Sequence, residues 1–201
     1  KRVKTEKDYQ EALSLARKWA KTNSDRYVPK VSRILNDLAT FHSSDSSKRV
    51  QTQEEYLEAL AVARKLAKKN PDKYIPNVEM ILNNLASFHA KDNTKKLETE
   101  EEYQEALNLA RELSKVDPAE YLPNVEMILN NLAAFHTQDN TRRVEAENEY
   151  LEALRIARDL AMDNPDIYIP NVVMILNNLA NLHSQDSSKR PQAEAEYAEA
   201  L

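Results

Sequence analysis

Apolar residues in this chain fall three and four positions apart. Within residues 77–89, Val78, Ile81, Leu82, Leu85, Phe88 and His89 share one stripe, the pattern of an amphipathic helix of about four turns. A second stripe runs through Tyr56, Ala59, Leu60, Ala63 and Leu66. Each stripe needs a partner to cover it, so the chain predicts helix paired with helix. The pattern also recurs: His42, His89, His136 and His183 are 47 residues apart, as are Tyr27, Tyr74, Tyr121 and Tyr168. Tyr9, Tyr56, Tyr103, Tyr150 and Tyr197 keep that interval without insertion or deletion. A fixed period of this length marks a stacked array in which each unit touches mainly its neighbours.

Boundary signals divide each repeat into an inner and an outer helix. The inner helix is expected to begin near Pro76, because proline's missing N–H costs nothing in a first turn. The outer helix is expected to stop at Lys69-Asn70-Pro71. Thr52-x-x-Glu55 and Thr99-x-x-Glu102 read as capping boxes, but Ala146 and Ala193 stand at the equivalent positions and cannot cap. Asp45, Asp92, Asp139 and Asp186 are better N-caps, and Pro191 then falls in a first turn. Thr52, Thr99, Ala146 and Ala193 become small residues facing a neighbouring helix. The count is nine helical segments: inner ones near 29–43, 76–90, 123–137 and 170–184, an outer one near 5–22 and four more after it. The expected organisation is a single solenoid over 1–201, with a half repeat 1–28, repeats 29–75, 76–122 and 123–169, and a truncated one 170–201. An array that ends this way reads as a piece of a longer one.

Composition narrows the choices. With 41% apolar and 30% charged residues and a mean hydropathy of -0.72, the surface is large for its core, as in a thin array. The net charge of -5 is mild and the signs are mixed along the chain, so neither nucleic acid nor an anionic membrane is an expected partner. No apolar run approaches the roughly 20 residues needed to span a bilayer. Cysteine is absent, which removes thiolate chemistry, and glycine is absent too, which removes phosphate-cradling loops. No cofactor is expected, and the cytoplasm is the default location.

In order along two helices, Leu82, Leu85-Ala86 and His89, then Thr99, Tyr103, Ala106 and Pro118, form a run that is repeated by Leu35, Leu38-Ala39, His42, Thr52, Tyr56, Ala59 and Pro71. This resembles the tetratricopeptide repeat pattern of a large apolar residue, Leu-Gly, an aromatic, then Ala, an aromatic, Ala and a proline. The Asn-Asn-Leu-Ala phrase is similar to the long repeats of kinesin light chains. The Asn-Pro-x-x-Tyr-Ile-Pro-Asn linker is similar to repeats in large bacterial signalling proteins. The resemblance implies an all-α, right-handed superhelical solenoid of antiparallel helix pairs that binds peptides in a concave groove. The period of 47, alanine in place of glycine and histidine in place of the aromatic depart from the family. Armadillo and HEAT arrays share the period range and are the alternative fold.

The candidate chemistry is sparse. The four histidines have no ligand three or four residues away on the same face, whereas zinc needs three or four from one site, so a packed imidazole is expected and no metal. Glu100, Glu101 and Glu102 read as a solvated run without a nucleophile beside it, and no catalytic residue is expected. The dyads Lys48-Arg49, Lys95-Lys96, Arg142-Arg143 and Lys189-Arg190 oppose the helix macrodipole, which leaves a binding or inter-repeat role open beside simple solvation. The amide pairs Asn83-Asn84, Asn130-Asn131 and Asn177-Asn178, with Asn36-Asp37 in the first copy, are poor mid-helix residues. The resemblance implies that Asn84, Asn131 and Asn178 contact a bound peptide's backbone, while a structural ladder between repeats is equally open. Ser87, with Ala134 and Asn181, would continue the groove floor. Met80, Met127 and Met174, with Arg33 in the first copy, would begin it, although a methionine row is more often core. The expected partner is a protein or peptide. The alternative is a spacer or a self-associating array acting through its end helices, of designed or consensus-like origin, since residues 76–86 and 123–133 are identical.

Overall fold

The computed structural model describes residues 5–201. Among these the chain is all-α, with nine helices and no strand. In order they are α1 Glu6–Ala20, α2 Ser24–His42, α3 Arg49–Ala67, α4 Pro71–His89, α5 Lys96–Val116, α6 Pro118–His136, α7 Arg143–Asp163, α8 Pro165–Ser184 and α9 Arg190–Glu199. The chain divides into two compact units, one ending at Leu109 and one from Ala110 to Leu201, with the division inside α5. In the first unit α1, α2, α3 and α4 each pack on the next, and α2 also touches α4. In the second, α6, α7, α8 and α9 pack in the same consecutive way. The architecture is an array of helical hairpins, as the two stripes require.

The even-numbered helices begin five residues before Pro76 and its equivalents. Pro71, Pro118 and Pro165 occupy the first turn of α4, α6 and α8, and Asn70 and Asp117 accept from the backbone N–H of Lys73 and Glu120. The proline expected to stop the odd helix thus starts the even one, because its missing N–H is one that a first turn leaves unbonded anyway. Pro29, Pro76, Pro123 and Pro170 lie inside their helices. Each removes one second-turn hydrogen bond, and the added length buries Tyr74. The aspartate caps appear where expected, but each opens a 3-10 turn before the α-helix proper. Asp45 accepts from Ser47 N–H at 2.9 Å, and Asp92, Asp139 and Asp186 do the same to the residue two further on.

The position of Thr52 serves two ends. In α1, Thr5 and Asp8 form a true capping box. In α3 and α5 the equivalents Thr52 and Thr99 are fully buried and donate their hydroxyls to the carbonyls of Lys48 and Lys95, and Ala146 and Ala193 are buried at the same place. Close approach comes from alanine: Ala39, Ala86, Ala133 and Ala180 are all at 0% exposure, so the even helices meet their neighbours without glycine. Leu35, Leu82, Leu129 and Leu176, at 1% each, make the surrounding core, and burying each is worth about 1.5–3 kcal/mol.

Candidate interaction surface

The amide pairs link successive even helices. Asn84 donates its Nδ2 to Asn36 Oδ1 at 3.0 Å in the first unit, and Asn178 donates to Asn130 Oδ1 at 2.9 Å in the second. The second member of one pair thereby satisfies the first member of the pair one repeat back. Asn36, Asn83 and Asn130 are buried, while Asn84, Asn131, Asn177 and Asn178 are half-buried, as is Asp37. Asn177 turns its amide back to Val173 O at 2.9 Å. Ser87, also half-buried, donates to Asn83 O at 2.8 Å and lies 3.0 Å from Tyr103 OH. Since the serine proton is spent on the carbonyl, the tyrosine donates to the serine oxygen. Burial pushes Tyr103 up to about 12, and does the same to Tyr150, whose counterpart of Ser87 is Ala134 and offers no hydroxyl.

Each histidine is clasped from the next odd helix. His42, His89, His136 and His183 are 1–4% exposed, and their Nδ1 atoms sit 2.7–2.9 Å from Glu55, Glu102, Glu149 and Glu196. Glu102 is therefore no member of a solvated run, which corrects the reading from sequence. Its four in-register copies, 13 residues after each histidine, were the available signal. For His42 and His183 the other ring nitrogen meets the preceding odd helix. His42 Nε2 lies 3.4 Å from Glu6 and 3.2 Å from Lys48 Nζ, with Lys48 and Glu6 paired at 2.5 Å. In the second unit His183 Nε2 lies 3.2 Å from Glu147, which also pairs with Lys189. Burial pushes the Glu147 carboxyl up, but the bonds from Lys189 and His183 outweigh it and its value is lowered. Where the chain has Gln53, His89 Nε2 is buried without a hydrogen-bond partner and Lys95 turns to Glu98 at 2.8 Å.

Lys48, Arg49, Arg143 and Lys189 of the basic dyads thus connect repeats, while Lys95 and Arg142 pair with Glu98 and Glu145 three residues on. Arg49 pairs with Asp92 at 2.7 Å and lies over the Phe88 ring, and Arg143 donates to Leu182 O and Gln185. On the odd helices Arg17–Glu58, Arg64–Glu105 and Arg111–Glu152 recur as ion pairs at 2.5–2.8 Å. Among the described residues no group of three or more histidine, aspartate or glutamate side chains is set to hold a metal ion, and no helix is long and apolar enough to cross a membrane.

One face of the even helices stays open. Met80, Met127 and Met174 are 36%, 40% and 44% exposed, so the row stands in solvent and not in the core that helical spacing favoured. Between α2 and α4 lies a cleft of about 470 Å³, bordered by Lys30, Arg33, Lys73, Tyr74, Asn77 and Met80. Of its cations only Arg33 is visible in the sequence pattern, at the head of the methionine column; Lys30 becomes Asn77, Asn124 and Asn171, and Lys73 stands between Arg26 and Glu120 in its column. The chain matches no family model and no curated protein at a significant level.

Proposed function

We propose that the chain is a noncatalytic scaffold of the tetratricopeptide type that holds an extended or helical segment of a partner protein on its even-numbered helices, with the cytoplasm as its setting. The observation that supports this most is the row of exposed methionines beside an amide ladder. The ladder fixes the helices that carry them, and flexible thioethers on a rigid base suit varied apolar side chains. Selection of binding peptides by display, followed by titration against Met80→Asp and Met127→Asp, tests it. The expected result is a loss of about tenfold or more in affinity, over 1.4 kcal/mol, at unchanged helicity. Undiminished affinity in both variants would sink the reading.

A specific observation also favours the alternative of a self-associating array. Val50, Leu97 and Val144 occupy one repeat position and are 73%, 69% and 69% exposed, so each of these copies leaves one large apolar side chain bare. Light scattering that grows with concentration, and is abolished by changing all three to lysine, is its expected sign. A strictly monomeric chain at high concentration would count against it.

A further inference from the structure

The odd-numbered helices are built on shared columns, and α1 covers its own least. Leu15 and Trp19 of α1 are 49% and 50% exposed, whereas Ile156 in the Leu15 column is 3% and Leu66 in the Trp19 column is 8%. Leu13 and Ala16 are the buried residues of α1, so Leu15 and Trp19 form a second, uncovered stripe. With Ala12 they fall three and four residues apart, the spacing of a short coiled-coil seam. Aromatic rings extend the apolar ground at its two ends: Phe41, itself 45% exposed, lies 5.9 Å from Tyr9, and Tyr27 stacks on Trp19 at 6.2 Å.

Charge says what covers this stripe. Glu58, Glu105, Glu152 and Glu199 occupy one column, and each takes an arginine of the odd helix before it: Arg17, Arg64, Arg111 and Arg158. Glu11 stands in that column too, exposed, and among the described residues no cation pairs with it. Lys18, seven residues on and exposed on the same flank, has no carboxylate either. Glu11 directly precedes Ala12 and Lys18 directly precedes Trp19, so the two hold the same seam position one heptad apart. Two copies of α1 laid antiparallel run this flank in opposite directions, which brings glutamate against lysine twice. Parallel copies would keep the two residues about 10 Å apart along the axis.

We infer that α1 is a dimerisation helix, pairing antiparallel with a second copy of this chain through Ala12, Leu15 and Trp19, with Glu11 of each protomer on Lys18 of the partner subunit. The patch is self-complementary, so it closes on two copies and does not grow. The inference is independent of the partner-binding reading, uses none of the even-helix methionines, and differs from the association expected of Val50, Leu97 and Val144. One short helix offers an area of the size class of transient contacts, so the dimer dissociates on dilution.

The test is sedimentation equilibrium of the full chain over a wide range of concentration at low salt. A single monomer–dimer equilibrium with no larger species is expected. Leu15→Asp and Trp19→Asp change exposed positions, keep the helicity, and each weaken the dimer by about tenfold or more. Glu11→Lys makes the flank wholly cationic and Lys18→Glu makes it wholly anionic, so each alone weakens self-association, an effect that salt screens. An equimolar mixture of these two variants re-forms both cross pairs and associates as well as the unchanged chain. A mixture that associates no better than either variant alone would overturn the antiparallel pairing. Association that survives Leu15→Asp and Trp19→Asp but is lost when Val50, Leu97 and Val144 are all changed to lysine would overturn α1 as the surface. A chain that stays monomeric throughout would overturn the second copy as occupant and leave the scaffold reading standing.

Discussion

The paired helices α2 and α4 in the first unit and α6 and α8 in the second are built on the same columns and finished differently. Both pairs are joined by one amide bridge, Asn84 to Asn36 and Asn178 to Asn130, and both bury the same leucines and alanines beneath it. Above that frame, α2 and α4 carry Lys30, Arg33 and Lys73, where α6 and α8 carry Asn124, Met127, Asn171, Met174 and, at the Lys73 column, Glu120 and Ile167. Columns that recur hold the fold; columns that change alter the charge each face carries. The largest break of this division is to remove the shared bridge. Asn84→Ala and Asn178→Ala each strand a buried acceptor, Asn36 at 3% and Asn130 at 7% exposure, and each is expected to lose about 1–3 kcal/mol of stability by urea denaturation. Similar losses in both units mark the ladder as frame; a loss confined to one would show that the two pairs do not share it.

A second contrast lies one turn away. Ser32 in α2 is buried and donates to Ala59 O at 2.8 Å, whereas the same column in α6 holds Glu126, 1% exposed, with one oxygen bonded to Asn171 and the other buried without a hydrogen-bond partner. Burial pushes the Glu126 carboxyl up, against a smaller lowering by the Asn171 bond. Its folded value lies above the unfolded one, so its contribution is whole below about 4.5 and is lost as pH rises through the folded value. Glu126→Gln keeps the Asn171 bond and removes the ionisation. It is expected to gain about 1–2 kcal/mol at pH 8 and little at pH 4. An equal difference at both pH values would mean that desolvation of the carboxylate is not the cause.

How far these features were legible depends on whether a column repeats. The hairpins, the core leucines and the aspartate caps were readable because four copies agree and periodicity reports burial. The start of the even helices was misread because Asn-Pro serves equally as a stop and as an N-cap with proline at the first position, and only the packing of Tyr74 decides. The ladder was left open between two uses because register across helices is not written in one repeat. The Glu102 clasp on His89 repeats faithfully, but its partner lies on another helix, and same-helix spacing looked past it. The cleft cations repeat poorly: Lys30 and Arg33 stand alone in their columns and Lys73 is matched only by Arg26, so internal copies gave Lys30 and Lys73 little weight.

The clasp gives a third, smaller test. His183 has carboxylates on both ring nitrogens, with Lys189 beside one of them, while His89 lacks the second because Gln53 stands where the other unit has Glu147. Gln53→Glu should complete the clasp and draw Lys95 from Glu98. The expected gain is about 0.5–1 kcal/mol, or a rise in Tm of roughly 1–4 °C for a chain of this size. In Lys95→Met the gain should shrink, since the new carboxylate would lose its cation; an undiminished gain would place the effect outside the clasp.

The smallest effect is expected at the exposed edge of the same device, where Glu6 holds Lys48 and His42. The hydrogen bond from Lys48 lowers the Glu6 carboxyl below 4.5, against a smaller desolvation effect. A depressed folded value means that the contribution is present above the unfolded value of 4.5 and disappears as pH falls through the folded one. Glu6→Gln should therefore cost a little stability at pH 7, less in high salt because the pair is solvent-exposed, and nothing once the pH is well below 4. The same acid limb should appear in Gln53→Glu, which places a carboxylate at the matching position. If Glu6→Gln and the unchanged chain lose stability in parallel from pH 7 through pH 4, the outer carboxylate is ornament to a clasp that Glu55 alone maintains.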